Sequence, residues 1–297
     1  MNKILVIGLS GQSEFLSVDH FNKPGETINA FHRFTEPGGK GYNQALALGK
    51  IGANVSFITC LGNDSYSDVC IDLLKEYNVN VYPIYKDTPC DFAAIITNSE
   101  GENNVCVYNG CSRLCKFKDI MKYKDIVDSA DIILLQLEYP IDVTEEIIRY
   151  ANSKNIKVVL NPAPYKTISR DVLDMVYAIT PNAFELTALA NTNNTIDGLK
   201  KVNINNIVCT QGSENVLVKA GKDIKEIKVR KVKAIDTTGA GDIFNAYFVF
   251  NLDKGIYESS RIASIASTLS VLKKGVVNAI PGLKEVTNFY GENEWLN

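Results

Sequence analysis

The chain has 297 residues, a formal net charge of −3 and an apolar fraction of 45%, enough to bury a sizeable core in one large α/β domain or two small ones. No basic excess or Lys/Arg-rich stripe marks a nucleic-acid footprint. No apolar stretch reaches the ~18 residues that a bilayer span needs.

After Met1-Asn2-Lys3 comes Ile4-Leu5-Val6-Ile7-Gly8. This apolar run is too short for a signal peptide and lacks a small-residue cleavage site, so residues 3–8 are expected to form a strand. Further short runs, apolar on both sides of the pleat, occur at 55–60, 132–137, 157–160, 177–180 and 206–210, the pattern of strands buried on both faces of a parallel sheet. Helical patterning lies between them, at 41–51, 64–77, 141–154 and 183–190, and continues at 242–253 and 258–273. This alternation predicts a layered α/β fold with right-handed crossovers. Segments 15–35 and 89–108 differ: they alternate, are rich in β-branched and aromatic residues, and carry turn signals at Asn22-Lys23-Pro24-Gly25 and Ser99-Glu100-Gly101-Glu102. They read as hairpins, either a small β lid that keeps water from a reacting phosphate or ordinary antiparallel edge strands. The expected organisation is a single domain over 1–297 with a discontinuous lid from about 12–36 and 88–110.

Seven cysteines (Cys60, Cys70, Cys90, Cys106, Cys111, Cys115 and Cys209) are an odd number without a CxxC, and the chain has two histidines, His20 and His32. A zinc site has few ligands to draw on, so free thiols in a reducing compartment, the cytoplasm, are expected. The Cys111–Cys115 spacing leaves a redox pair as the alternative.

The most informative stretch is Ala234-Ile235-Asp236-Thr237-Thr238-Gly239-Ala240-Gly241-Asp242-Ile243-Phe244-Asn245. A short strand enters small residues, and a helix begins there. Small residues let backbone approach a ligand, and the N–H groups and dipole of a helix start favour an anion. Gly239, Ala240 and Gly241 can therefore form an anion hole. Asp242 in the same turn can accept the proton of an attacking hydroxyl as phosphoryl transfer proceeds. The competing reading makes Asp242 a helix-start residue only. A second segment, Glu36-Pro37-Gly38-Gly39-Lys40-Gly41-Tyr42-Asn43-Gln44, presents Lys40 and Asn43 at a helix start, where they can bind hydroxyls or phosphate. Otherwise it is a Gly-rich turn with a surface lysine. It is not a Walker A loop, and Gly8-Leu9-Ser10-Gly11 is not the GxGxxG of a dinucleotide oxidoreductase.

Asp-Thr-Thr-Gly-Ala-Gly-Asp closely resembles the C-terminal signature of the ribokinase-like (phosphofructokinase B) family of carbohydrate kinases. Gly-Gly-Lys-Gly-x-Asn-Gln resembles its N-terminal signature in the form nearest the ribokinase members. Leu61-Gly62-Asn63-Asp64, Gln136-Leu137-Glu138-Tyr139-Pro140, Asn161-Pro162-Ala163-Pro164, Asn182-Ala183-Phe184-Glu185, Thr210-Gln211-Gly212-Ser213 and Lys274-Gly275 extend the resemblance from Lys3 to about Pro281. It implies a three-layer α/β/α fold with a mostly parallel sheet and a β lid, and transfer of the ATP γ-phosphate to a hydroxyl of a ribose-like sugar. Asp242 is implied as base beside the 239–241 anion hole. Gly39, Lys40, Asn43 and Glu138 are implied at the sugar, and Asn182, Thr210, Gly212, Ser213, Lys274 and Gly275 at the nucleotide. Glu185 would organise Mg²⁺ through water. Asp236, Thr238, Ser270, Lys273 and Gly275 would enclose a potassium-like ion, and a homodimer would form through the lid.

Three departures stand out. Gly11 and Ser13 occupy places where family members hold ribose with Asn and Asp; Ser13 remains a candidate sugar contact, and Asp19 is a candidate replacement carboxylate. Asn215 replaces a glycine of the nucleotide turn, as a residue tolerant of positive φ. Ala279 replaces a serine near the cation. The altered pocket keeps a nucleoside or pseudouridine kinase open as an alternative, and a catalytically silent binding protein on the same fold is the alternative outside enzymes.

Overall fold

In the computed structural model of the chain, residues 1–291 are described. The strands are β1 (Lys3–Ile7), β2 (Gly11–Ser17), β3 (His32–Gly38), β4 (Asn54–Leu61), β5 (Asn80–Tyr85), β6 (Asp91–Thr97), β7 (Asn103–Tyr108), β8 (Ile132–Leu135), β9 (Lys157–Leu160), β10 (Ala178–Ile179), β11 (Asn206–Gln211), β12 (Glu214–Ala220) and β13 (Asp223–Ile227). Nine form one sheet in the order β13-β12-β11-β10-β9-β8-β1-β4-β5. From β5 to β11 every pairing is parallel; β12 and β13 add an antiparallel hairpin.

Alternation along β1 shows why both faces are covered. Ile4 and Val6 join a core with the helices Lys40–Lys50, Ala240–Phe250 and Ile256–Ser270. Leu5 and Ile7 join the core on the other face with the helix Ile141–Ser153. Successive side chains of a strand point to opposite faces, so a continuous apolar run requires two layers of helices. The expected α/β/α layering is present. The expected strands and helices fall within a few residues of expectation; β5, the β12–β13 hairpin and further helices, among them Thr195–Lys201 and Leu283–Gly291, are additions.

β2, β3, β6 and β7 form a separate four-stranded sheet in the order β3-β2-β6-β7. Ser13, Phe15, Glu36, Phe34 and Ile95 share one of its faces by register. β6 and β7 are a hairpin closed through Gly101 at φ 82°. β2 and β3 are joined by the longer excursion 18–31, which contains the 22–25 turn. The cysteines are free thiols, all buried except Cys106. Cys111 does not pair with Cys115; its thiol donates to Asp91 Oδ2 at 3.1 Å. Among the described residues no helix is long and apolar enough to cross a membrane.

Candidate active site

The carboxyl ends of the parallel strands and two helix starts converge on one cleft. The first start is Lys40–Lys50. Gly39 adopts φ 101°, and a Cβ there would stand 2.4 Å from Leu9 Cδ2. Gly41 packs so tightly on the end of β1 that a Cβ would lie 2.7 Å from Gly8 Cα. These glycines let the helix start against the sheet. Glu138, on the loop after β8, caps it by accepting from Lys40 N at 3.0 Å and Gly41 N at 3.2 Å. Burial pushes the Glu138 carboxyl up to about 7, against the pull of those N–H groups and the Lys40 ammonium.

The second start is Ala240–Phe250, entered through Gly239 at φ 73°. Asp242 lies buried in its first turn. Asn43 Nδ2 donates to Asp242 Oδ2 at 2.9 Å, and Gln44 Nε2 donates to Oδ1 at 3.0 Å. Gln44 also donates to Asn161 Oδ1 at 3.3 Å and accepts from Gln136 Nε2 at 2.6 Å. Burial raises the Asp242 carboxyl above its ordinary range, opposed by Lys40, Asn43 and Gln44. Lys40 is held above its usual range, chiefly by the Asp242 charge, with Glu138 and Glu185 contributing.

Lys40, Asn161 and Asp242 border a cleft of about 220 Å³ that also meets Asn182, Glu185, Thr210, Gly239 and Gly241. Asn182 and Glu185 form a reciprocal capping box at the helix Ala183–Ala190: Asn182 Oδ1 accepts from Glu185 N, and Glu185 Oε2 accepts from Asn182 N, each at 2.8 Å. Glu185 is therefore buried, where composition alone favours an exposed helix acid. Among the described residues no three acidic, histidine or cysteine side chains converge to hold a metal directly; Glu185 and Asp242, both bordering the cleft with Lys40, offer hard oxygens of the kind that hold Mg²⁺ through water.

The cleft opens at one side into an apolar pocket of about 420 Å³ bordered by Thr210, Gly212, Ser213, Val216, Val232 and Val271. Gly212 supplies the turn with φ 63°. Asn215 is an extended residue of β12 whose side chain ties Val229 N and Glu226, so this turn does not use its tolerance of positive φ. Lys274 and Gly275 lie elsewhere, with Asp236 and Thr238 along a groove of about 580 Å³ beneath the four-stranded sheet. Asp236 accepts from Thr238 N at 2.9 Å and Gly275 N at 3.0 Å. Ser270 is buried, and its carbonyl accepts from Lys273 N at 3.1 Å. The Lys273 side chain turns outward to Glu285. Both Asp236 oxygens are thus engaged by backbone N–H groups.

On the opposite side, a pocket of about 220 Å³ lies under the sheet of β2, β3, β6 and β7, bordered by Ser13, Glu36, Asn43, Val105 and Thr238. Asn43 joins it to Asp242. Glu138 and Gly39 border neither this pocket nor the central cleft; they act one layer behind, on the helix start. Asp19 is away from the site, on the exposed excursion beside His20. Sequence reasoning assigned no role to Gln44, Gln136, Asn161 or Glu36, although all four lie inside quoted motifs.

The profile of the pfkB family carbohydrate kinases matches residues 1–282. The chain is 32% identical to a ribokinase of Staphylococcus aureus over 96% of its own length and 98% of that protein. It superposes on a ribokinase of Thermotoga maritima with a TM-score of 0.91 at 32% identity, covering 98% of this chain and 100% of that one. On an Arabidopsis thaliana ribokinase complexed with ribose and ATP, the TM-score is 0.86 at 25% identity, covering 97% and 98%.

Proposed function

The chain belongs to the pfkB family of carbohydrate kinases, and from that premise we propose that it transfers the γ-phosphoryl group of ATP to a hydroxyl of a ribose-like sugar, with Asp242 as the base. The observation that carries the reading is the placement of Asp242. It sits at a helix start on the central cleft, next to Gly241, which also borders the apolar pocket, and two side-chain amides hold its carboxylate, one of them from Asn43, which borders the pocket under the four-stranded sheet. The acceptor would enter under the sheet, which serves as a lid, and ATP would occupy the apolar pocket beside Thr210, Gly212 and Ser213. Asp242 takes the hydroxyl proton as the bond to phosphorus forms. The first-turn N–H groups of Gly241 and Asp242, which helix geometry leaves without intrahelical partners, face the developing charge. Ala240 N donates to Thr237 O at 3.3 Å, so its part in the anion hole requires that contact to open. Lys40 offsets charge between the carboxylates.

Mg²⁺ would be held through water by Glu185 near Asn182, and when bound it neutralises charge on the transferring phosphate. A potassium ion would rest on Asp236 and the carbonyls of Thr238, Ser270, Lys273 and Gly275; turnover with sodium substituted for potassium checks this. Lys274 and Gly275 would flank the nucleotide from the cation side. We place the enzyme in the cytoplasm, because free thiols suit a reducing compartment. In this reading residues 1–297 act as one kinase domain. A homodimer would form through the lid, where Val105 and Val107 are exposed on β7; light scattering tests it.

One observation favours a second acceptor class. Phe15 and Phe34 stack at 4.4 Å along the groove that continues from the acceptor pocket, a surface suited to the planar base of a nucleoside. ADP release with MgATP and KCl across sugars and nucleosides, including ribose and pseudouridine, decides between the two. Asp242→Asn should lower kcat by roughly 10²–10⁴-fold, the range of general-base catalysis, while ATP binding persists. Turnover within tenfold of the parent would remove Asp242 as base.

A further inference from the structure

The carboxylate expected on β2 is absent, yet the acceptor pocket contains one. Ser13 and Glu36 are direct cross-strand partners in the β2–β3 ladder. Side chains so paired stand on one face with Cβ atoms about 4.5–5.5 Å apart. Both border the pocket under the lid. Ser13 is short, and its hydroxyl lies against Gly38, where a Cβ would stand 2.1 Å from Oγ. Glu36 takes up the space across the ladder. It reaches the 275–276 loop, where Oε2 accepts from Val276 N at 3.3 Å. That approach depends on Gly275, where a Cβ would lie 2.8 Å from Glu36 Oε1. Val276 N is the only hydrogen-bond donor to Glu36 among the described residues, which leaves Oε1 able to accept.

A second group in the same pocket also points to a ligand. Asn43 is 9% exposed, and its Oδ1 is buried without a hydrogen-bond partner. The ionised Asp242 accepts from Nδ2, and this leaves Oδ1 as the end without a donor. The pocket is therefore bordered by Asn43, whose Oδ1 lacks a donor, and by Glu36, whose Oε1 is able to accept, beside Ser13 and Thr238. A neutral molecule rich in hydroxyl donors satisfies them, whereas a phosphorylated sugar would bring like charge against Glu36. Partial burial and the nearby Asp236 raise the Glu36 carboxyl, against the pull of Val276 N.

We propose that Glu36 is a specificity-determining residue: its carboxylate accepts hydrogen bonds from adjacent hydroxyls of an unphosphorylated polyol acceptor, in place of the carboxylate that β2 lacks. The proposal rests on the acceptor-kinase reading for the identity of the pocket. It is tested on the full chain with D-ribose and its 2-deoxy and 3-deoxy analogues, by ADP release and by calorimetric binding. The parent should discriminate against at least one deoxy analogue by tenfold or more in kcat/KM. Glu36→Gln keeps an acceptor for Val276 N; it should reduce that discrimination below threefold while the KM for ATP stays within twofold. Discrimination that survives in Glu36→Gln overturns the proposal, as does an equal rise in the KM values for sugar and ATP, because the residue would then only brace the 275–276 loop. A parent that binds ribose without releasing ADP overturns the kinase reading, and the same comparison is then decided in the binding constants. A parent that binds none of the three sugars overturns the Glu36 proposal, while ADP release on other acceptors still judges the kinase reading.

Discussion

Replacing Gln44 by leucine removes one of the two amide donors that hold Asp242 and keeps the bulk of the side chain. A hydrogen bond to a charged group contributes about 1.5–3 kcal/mol. At 1.36 kcal/mol per decade, its loss lowers the ionised fraction of Asp242 roughly 10- to 160-fold wherever the group is mostly protonated. Burial already raises this carboxyl, and losing a donor to the ionised form raises it further. Because the proposed base works only when ionised, the acid limb of kcat/KM against pH should move to higher pH. The variant should lose most activity on that limb and recover much of it on the plateau. The change also leaves Gln136 Nε2 without its acceptor, at a cost of about 1–3 kcal/mol of stability for a buried unpaired group. ADP release from pH 5 to 9, with urea unfolding alongside, measures both. A loss of activity that is the same at every pH would refute the reasoning, since Gln44 would then not act through the ionisation of Asp242.

Glu138 links the same helix start to pH. Its folded carboxyl titrates near 7 against an ordinary 4.5, so the native state holds the proton more tightly than the unfolded chain does. The stability this confers is complete below pH 4.5 and is lost as pH rises through 7, a change on the order of 3 kcal/mol. The difference in unfolding free energy between the parent and Glu138→Gln should fall by about that amount across the window; a flat difference by urea titration would count against it. Gly41→Ala should lower the melting temperature and kcat together. Its Cβ would meet backbone at Gly8 and Leu9, which cannot rotate away, and overpacking of this kind costs about 1–3 kcal/mol. An unchanged melting temperature would show that the helix start can shift without loss.

The apolar runs at residues 3–8 and 157–160 needed no partner to be read as buried strands, because a continuous run can be satisfied only between two layers. The helix Ala183–Ala190 was equally legible. β5 was not, since Pro83 argues against an interior strand; it lies at the sheet edge, where a missing N–H is tolerated. The β12–β13 hairpin was missed although it turns on Gly221 at φ 62°. Within Glu214–Ala220 only Val216, Leu217 and Val218 form a buried apolar run, shorter than the roughly four to eight residues from which a buried strand is read.

What the sequence determined by itself was local chemistry: glycines where backbone must come close, a carboxylate at a helix start, and an asparagine with a lysine at another. Which groups meet was decided by tertiary structure alone. Asn43 and Asp242 are 199 residues apart in the chain, and Gln44 and Gln136 are 92 apart. No spacing rule reaches that far; helix packing on the sheet sets those distances. The same holds for Glu36. Its place opposite Ser13 follows from the register of two strands joined by a long excursion, and a slip of one residue would have turned it to the other face of the lid.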